Sequence, residues 1–291
     1  MADPFFQVLL GILSFVGRFV NDLRPAKIRK TQLISHQIVI HIENLMLIMY
    51  NNKKACSLSA LYLQAAKGRM DHMEFQNYFP IWNKLNTIYQ EQLLGALTTR
   101  TVKKGTVIHN GSMDCTGLLL VRSGQLRAYI LSDEGRQITI YRLFDRDMCL
   151  FSASCMMRSI QFDITIEAEK DTDLWIIPVE VYQSIMAESA PVANYTNELM
   201  ATRFSDVMWL IEQIMWKSLD KRVAAFLLEE SAIENSDTLK ITHEIIAGHL
   251  GSHREVITRM LKYFQNEGMV KLSRGTVALA DKTKLEELIE E

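Results

Sequence analysis

The sequence predicts an α+β protein with three consecutive parts: an N-terminal roll of short β-strands, one long helix, and a small helical domain that closes with a β-hairpin. Three observations support this prediction. Short runs rich in Val, Ile, Leu and Tyr, separated by turn residues, occupy the region from about residue 85 to residue 178. Apolar residues then recur at every third or fourth position as far as residue 214. Two closely spaced helix patterns and a hairpin pattern follow before the C-terminus.

The first 69 residues differ from the rest of the chain. Two apolar stretches in this segment are interrupted by charged residues, Arg18 in the first and Glu43 in the second. Neither stretch reaches the roughly 18–20 uninterrupted apolar residues of a membrane-spanning helix, and neither has the flanks of a secretory signal. We therefore expect residues 1–69 to be a poorly folded extension, and a weakly membrane-associated helix is the alternative. A start codon assigned too early would account for it, because Met70 or Met73 would open an ordinary domain.

Composition places the chain among ordinary globular proteins. It has 291 residues, of which 48% are hydrophobic and 23% are charged, enough for about two domains with real cores. The net charge of −2 gives no bulk attraction to a polyanion. Between Gly248 and Gly275, however, five Lys and Arg residues stand against two acids, so this short region carries a local basic excess.

Four cysteines, Cys56, Cys115, Cys149 and Cys155, form no C-x-x-C pair and no zinc-ligand spacing. We therefore predict no metal site, reduced thiols and a cytoplasmic location. The sequence contains no G-x-S-x-G, H-E-x-x-H, Walker A or dinucleotide-binding motif, so it does not predict an enzyme.

Residues 70–190 carry the pattern of the β-roll. The stretch from Leu118 to Leu143 is broken at Ser123-Gly124 and again at Asp133-Glu134-Gly135, where Gly135 suits a positive φ. Alternating apolar residues at Phe162, Ile164, Ile166 and Ala168 indicate a further strand. Several short antiparallel strands at this spacing are typical of a small barrel or roll.

Residues 191–218 carry the pattern of one long helix, with Pro191 suited to its first turn. Its apolar residues follow at spacings of 4, 3, 4 and 3, which is the seam of a two-stranded coiled coil. They are Met200, Phe204, Val207, Ile211 and Ile214. The alternative is a helix that packs this stripe within its own chain. We favour a dimer, because a helix between two domains has little intrachain surface to cover such a stripe.

Residues 219–291 read as helix, short strand, two further helices and a hairpin. Thr242 is a cap for the second helix, and Gly251 permits the sharp turn into the third. The third helix is predicted to end at Gly268, and the hairpin turns at Arg274-Gly275. Two helices joined by a short turn and followed by a β-hairpin describe a winged helix-turn-helix.

The stretch ITHEIIAGHLGSHREVITRMLKYFQNEGMVKL, residues 241–272, resembles the helix-turn-helix of the Crp/Fnr superfamily of bacterial transcription regulators. The order of a roll, a long helix and this motif resembles the same family over about residues 75–285. The resemblance implies a cyclic-nucleotide-binding-like jelly roll that senses an effector, a dimerisation helix and a DNA-binding domain. It further implies a homodimer that reads an inverted repeat in double-stranded DNA and works with RNA polymerase.

The resemblance assigns DNA contacts to the helix at residues 252–266. Arg254 and Arg259 match positions that read guanine, and Glu255 matches the acid that accepts from cytosine, which suits the donors and acceptors of those bases. Thr258 lies between them and could touch a base or a thymine methyl. The remaining candidates are Ser252 and His253 at the helix start, and Lys262 and Arg274 for phosphates.

Two alternatives remain open for this helix. Ser252-x-x-Glu255 is also a capping box, so Glu255 could serve only the helix start. Arg254 and Arg259 could be solvated surface charges.

The effector segment departs from the family pattern. It lacks the Gly-Glu pair of cyclic-nucleotide-binding members, and Arg158 falls before the strand that should carry the phosphate-binding arginine. This argues against cyclic AMP, because a buried phosphate would then lack its countercharge. The scattered cysteines argue against an Fe–S cluster. The cofactor therefore stays unknown.

A thiol, metal or small-molecule response remains a hypothesis for this segment. Its candidate residues are Cys149, Ser152, Ser154, Cys155 and Arg158. The competing interpretation is that both cysteines are small buried hydrophobic residues. At the level of function, the alternative is a small-molecule or redox sensor whose helix-turn-helix is a relic or a protein-interaction surface.

Overall fold

The computed structural model describes residues 74–111, 115–156 and 163–290. All of them belong to one structural unit, His72–Glu291. The extension expected at residues 1–69 lies outside the described residues. No helix in the described ranges is both long enough and apolar enough to cross a membrane.

Two four-stranded antiparallel sheets form the β-roll. The first has the order β1-β8-β3-β6 and the second β2-β7-β4-β5. The strands are β1 (Thr98–Val102), β2 (Val107–Asn110), β3 (Leu118–Ser123), β4 (Leu126–Leu131), β5 (Gln137–Leu143), β6 (Met148–Cys149), β7 (Thr165–Ala168) and β8 (Thr172–Ile177). The predicted turn between β4 and β5 is confirmed: Gly135 has φ +80°, in the left-handed region that glycine adopts without strain.

The roll buries apolar side chains between its two sheets and under the helices that flank it. Of the residues predicted to alternate in this strand, Ile164, Ile166 and Ala168 are buried, and Phe162 lies outside the described residues. A second cluster centres on Trp175, which is fully buried and packs edge-on against Phe75. This cluster lies under α1 (Thr87–Ala96) and α2 (Val179–Glu188), which therefore cap the first sheet.

The long helix α3 spans Ala190–Trp216, with Pro191 in its first turn as predicted. Its N-terminal part packs on the roll, where Val192 and Arg203 are buried. Beyond Arg203, most of its large apolar side chains are exposed. The helix thus leaves the roll and leads to the C-terminal domain.

The C-terminal domain contains the predicted helix-turn-helix and hairpin. Its elements are α4 (Leu219–Ile233), β9 (Thr238–Leu239), α5 (His243–Leu250), α6 (Arg254–Asn266), β10 (Val270–Ser273), β11 (Thr276–Leu279) and α7 (Lys282–Glu290). The Thr242 side chain caps α5 by accepting from the Ile245 amide, and Gly251 ends this helix with φ +66°. The three strands pair antiparallel in the order β10-β11-β9. This architecture confirms the predicted fold class.

Candidate nucleic-acid interface

The helix α6, called the recognition helix below, has one buried and one exposed face. Ile257, Leu261 and Phe264 follow at spacings of four and three and are fully buried against the rest of the C-terminal domain. The other face carries four charged residues, all exposed: Arg254, Glu255, Arg259 and Lys262. A helix that keeps two guanidinium groups and a carboxylate outward presents donors and an acceptor of the kind that base edges require.

The start of the recognition helix is not capped by a side chain. The cap residue is His253, and the structure shows no side-chain hydrogen bond at this position. The capping box considered between Ser252 and Glu255 is therefore not formed. The Glu255 carboxylate is exposed and available for a partner.

Thr258 is engaged within the protein. Its hydroxyl donates to the carbonyl oxygen of Arg254 at 2.8 Å and lies 2.8 Å from Nδ1 of His243. Because the single hydroxyl proton goes to the carbonyl, Nδ1 of His243 must carry the proton and donate to Thr258. The Thr258 hydroxyl cannot then donate to a base, so the expected contact narrows to its methyl group or its remaining lone pair.

His243, the first residue of α5, was missed by the sequence analysis. Burial lowers its pKa from the ordinary value, and the positive charges of Arg254 and Lys262 lower it further. The imidazole is therefore neutral at pH 7, consistent with the tautomer that the hydrogen bonds assign. It links α5 to the exposed face of the recognition helix.

The hairpin and the roll border this surface. Arg274 is exposed in the turn between β10 and β11, next to Gly275 with φ +70°. The first turn of the recognition helix lines a cleft of about 580 Å³ together with Glu134 and Arg136 of the β4–β5 turn. The helix start thus lies beside the roll.

An exposed apolar surface runs along α3. Of the five predicted seam residues, Phe204 is 68% exposed, and Ile211 and Ile214 are also exposed. Val207 is half-buried, and Met200 packs partly against the core of the roll, as the intrachain alternative expected. The exposed surface also includes side chains outside the predicted seam: Met208, Trp209, Met215 and Trp216.

The candidate effector segment is only partly described. Cys149 is fully buried, and burial raises the pKa of its thiol, which lies 3.8 Å from the Tyr141 hydroxyl. Ser152 is buried and donates to the Cys149 carbonyl oxygen at 3.0 Å. A buried, protonated thiol behaves as a small hydrophobic group rather than a nucleophile. The side chains of Ser154 and Cys155, and all of Arg158, lie outside the described residues.

Arg203 connects the long helix to this segment and was not singled out from the sequence. Its guanidinium lies 4.3 Å from the ring centre of the buried Tyr141 and pairs with Asp206 at 2.9 Å.

The expectation of reduced thiols is wrong for Cys115, which is disulfide-bonded. Within the described ranges, no group of three or more His, Cys, Asp or Glu residues is arranged to hold a metal ion.

A solved structure with the same architecture decides the family. The crystal structure of a Crp/Fnr-family transcriptional regulator from Eubacterium rectale ATCC 33656 is 74% identical in sequence, with a TM-score of 0.73, and the match covers 74% of this chain and 100% of that chain. The chain belongs to the Crp/Fnr family of transcription regulators.

Two family descriptions match two separate regions of this Crp/Fnr protein. Residues 99–189 match the cyclic nucleotide-binding domain, and residues 221–288 match the Crp-like helix-turn-helix domain. These ranges coincide with the roll and with the winged helix-turn-helix. The Crp/Fnr protein therefore carries a DNA-binding motif of a transcription regulator next to a cyclic-nucleotide-binding-like roll.

More distant relatives agree. The cyclic AMP receptor protein of Thermus thermophilus is 26% identical over 59% of this chain and 78% of its own length. The transcriptional activator FnrA of Stutzerimonas stutzeri is 24% identical over 62% of this chain and 76% of its own length. The c-di-GMP-responsive regulator CLP of Xanthomonas campestris shares the fold with a TM-score of 0.56, at 19% identity over 67% of this chain and 99% of its own. By its name, FnrA is a transcriptional activator, in keeping with the family of this chain.

Proposed function

We propose that this Crp/Fnr protein is a homodimeric, sequence-specific DNA-binding regulator in the cytoplasm. Its two recognition helices read the two halves of an inverted repeat, and a signal received in the roll modulates binding. The observation that carries the proposal is the recognition helix itself. It holds Arg254, Glu255 and Arg259 exposed while Ile257 and Leu261 fix it to the domain.

The proposed contacts follow from side-chain chemistry. Arg254 and Arg259 each offer a planar fork that pairs with O6 and N7 of guanine, and the Glu255 carboxylate accepts from N4 of cytosine. The Thr258 methyl group suits the methyl group of thymine. The phosphate contacts are assigned to the peripheral cations Lys262 and Arg274. Ser252 and His253, at the start of the helix, are assigned positions beside the DNA backbone.

The exposed surface of α3 supports the homodimer. Apolar side chains as large as Phe204 and Ile211 lie along a helix that joins two domains, where water would otherwise cover them. A second copy packed in parallel would bury them as a two-stranded coiled coil. A twofold axis along this pair would present the two recognition helices to half-sites about one helical turn apart.

The proposed signal is not a cyclic nucleotide, because the roll lacks the Gly-Glu pair that holds the ribose in members that bind one. The buried Cys149 does not support direct thiol chemistry either. We propose a small molecule received between the roll and α3, where Arg203 and Tyr141 lie in contact. RNA polymerase is the proposed partner of the DNA-bound dimer.

Selection of binding sites from a random DNA library by the purified full chain, without added effector, tests the proposal. Recovery of a palindrome with two half-sites supports a dimeric sequence reader. Recovery of DNA with no common sequence, both without and with added cell extract, would overturn the proposal. A salt titration distinguishes the DNA-binding regulator from the sensor alternative. Phosphate contacts make DNA binding depend steeply on salt, and a helix-turn-helix that no longer binds DNA would show no such dependence.

A further inference from the structure

A buried cluster of polar side chains joins the roll to the DNA-binding domain. Arg142 of β5 forms ion pairs with Glu169, which follows β7, at 3.1 Å, and with Glu230 of α4. The same guanidinium lies 3.3 Å from Nε2 of His249, on α5. His249 in turn contacts Glu169 at 3.1 Å and the Thr139 hydroxyl at 2.8 Å. We call these five residues the interdomain cluster.

The charged side chains of the cluster are largely buried. The side chains of Arg142 and His249 are 7% and 4% exposed, and those of Glu169 and Glu230 are 17% and 12% exposed. The Phe226 ring closes one side, with its centre 5.0 Å from that of His249 and 5.6 Å from the Arg142 guanidinium. Charges buried in this way must be matched by partners at defined positions, whereas an apolar interface can shift and repack.

The hydrogen bonds define the state of His249. Burial lowers its pKa, so the ring is neutral at pH 7. Nε2 then carries the proton and donates to Glu169, while Nδ1 accepts from the Thr139 hydroxyl. The two ring nitrogens of an α5 residue are therefore both held by residues of the roll.

Backbone contacts continue this interface into the turn of the helix-turn-helix. Ile138 of β5 forms a β-bridge with Leu250, the last residue of α5. The next residue, Gly251, lies so close to Ile138 that a Cβ there would be 3.0 Å from the Ile138 side chain. The recognition helix begins three residues later, at Arg254. The direction in which it starts is thus set against the roll.

We propose that the interdomain cluster positions the recognition helix, and that Arg142 and His249 are positioning residues for DNA recognition. The cluster fixes one angle between the helix-turn-helix and the roll. In a dimer joined through α3, that angle determines the separation of the two recognition helices. The cluster therefore selects the spacing between half-sites without touching DNA. This inference rests on the proposed function.

The test compares spacer selectivity between full-length variants. DNA sites with identical half-sites, separated by spacers one and two base pairs shorter or longer than the preferred one, are ranked by competition binding. The unmodified protein should prefer one spacer by about tenfold or more, the scale of a single mismatch. Arg142→Met should reduce this preference to less than about threefold while the preferred half-site sequence and the salt dependence stay the same.

Two further variants keep the result interpretable. Thr139→Val removes one uncharged hydrogen bond to His249, preserves the shape of the side chain, and should give an intermediate spacer preference. Lys170→Ala is the matched control, because the pair of Lys170 and Glu234 joins the same two domains at 2.8 Å but is 44% exposed on both sides. An exposed pair contributes little, so this variant should keep the spacer preference of the unmodified protein.

Hydrogen exchange of the DNA-free variants gives a second readout. Arg142→Met should exchange the Ile138 and Leu250 amides faster than the unmodified protein, while the amides of the buried Val223 and Leu261 stay protected. A folded Arg142→Met protein with unchanged exchange and an unchanged spacer profile would overturn the inference. Failure of the proposed function would look different, since the unmodified protein itself would then select no palindrome.

Discussion

At the residue scale, the proposed function assigns two roles to the exposed side chains of the recognition helix, base reading and affinity. Arg254, Glu255 and Arg259 project their charges from the exposed side of α6. Lys262 lies further along the same helix and is exposed as well. The two groups can be told apart by how their removal changes binding to different sequences.

Arg259→Ala should abolish discrimination at one guanine of each half-site. A bidentate contact to guanine is worth about 1–3 kcal/mol per half-site. Binding to the preferred site should therefore weaken, whereas binding to a site in which that guanine is replaced by another base should stay the same. Binding measured on a panel of single-base variants checks this. Lys262→Ala serves as the comparison, with a uniform loss on all sequences and a salt slope lower by about one per half-site. An equal loss on every sequence for Arg259→Ala would contradict the assignment.

Thr258 allows a test of methyl against hydroxyl. Thr258→Val keeps the methyl group and removes the hydroxyl, whose proton is already engaged by the Arg254 carbonyl. The substitution also removes the acceptor for the proton on Nδ1 of His243. We expect unchanged base preference and a loss of about 1–3 kcal/mol in the free energy of unfolding, the net worth of two such bonds. Thr258→Ser keeps the hydroxyl and removes the methyl group. This variant should instead have a weaker preference for thymine over the other bases. The reverse pattern in site selection would show that the hydroxyl reads the base.

The charged residues of this surface could be predicted from the sequence, but their internal partners could not. Arg254, Glu255 and Arg259 follow a motif along one continuous helix. His243 reaches Thr258 from the preceding helix, fifteen residues away. Nothing in the local sequence shows that a histidine at the start of α5 bonds to the face of α6, because the crossing of two helices decides it.

At the element scale, the sequence pattern of the long helix α3 predicts only part of what each of its apolar residues contacts. Periodicity predicted a stripe at spacings of four and three. It could not say which of two surfaces each residue faces, and the structure places Met200 partly against the roll. The pattern also omitted Met208 and Met215, which widen the exposed surface. A residue on a helix between two surfaces is assigned only when the roll itself is in place.

Phe204→Glu should convert the proposed dimer to a monomer. Phe204 is 68% exposed on α3. Burial of such a ring in the interface stabilises the dimer by about 1.5–3 kcal/mol per copy. A carboxylate buried there without a partner would destabilise the dimer instead. Analytical ultracentrifugation at several concentrations measures the shift. Thr202→Glu is the control, since Thr202 is exposed about 200° around the helix from Phe204 and should leave the dimer intact. A dimeric Phe204→Glu protein would place the contact elsewhere.

At the scale of the whole molecule, the roll and the DNA-binding domain meet through groups that titrate. Burial alone would raise the pKa of Glu169, but the hydrogen bond from His249 and the charge of Arg142 outweigh it and bring the pKa to about 2. Burial lowers the pKa of His249, and the charges of Arg142 and Arg127 lower it further, while the neighbouring Glu169 acts in the opposite direction. Both groups bind protons more readily in the unfolded chain than in the folded one.

The free energy of unfolding should therefore fall on acidification. The His249 contribution is complete above its ordinary pKa of 6.5 and declines below it, while the Glu169 contribution declines between pH 4.5 and about 2. Urea unfolding at pH 7.5, 6.5 and 5.5 tests the first range. His249→Gln, which cannot titrate, should show a flatter dependence over the same range. A dependence as steep as that of the unmodified protein would assign the effect to another group.

The order of roll, long helix and winged helix-turn-helix followed from patterns within single elements. The interface between the domains did not, because Arg142, Glu169, Glu230 and His249 come from four separate segments of the chain. Each of them reads alone as an ordinary surface charge. Only the folded arrangement shows that they are buried together, so the relative orientation of the domains lies beyond what periodicity and motifs can predict.

The distribution of tryptophans along this architecture gives the protein an intrinsic optical probe. Trp82 and Trp175 are buried in the roll, whereas Trp209 and Trp216 are 59% and 76% exposed on α3. Tryptophan fluorescence should accordingly have two components. The buried pair should give a blue-shifted emission that acrylamide does not quench, and the exposed pair a red-shifted emission that acrylamide quenches. Only the red component senses what covers α3, so dilution of the protein would change it while the blue component serves as a constant reference within the same molecule.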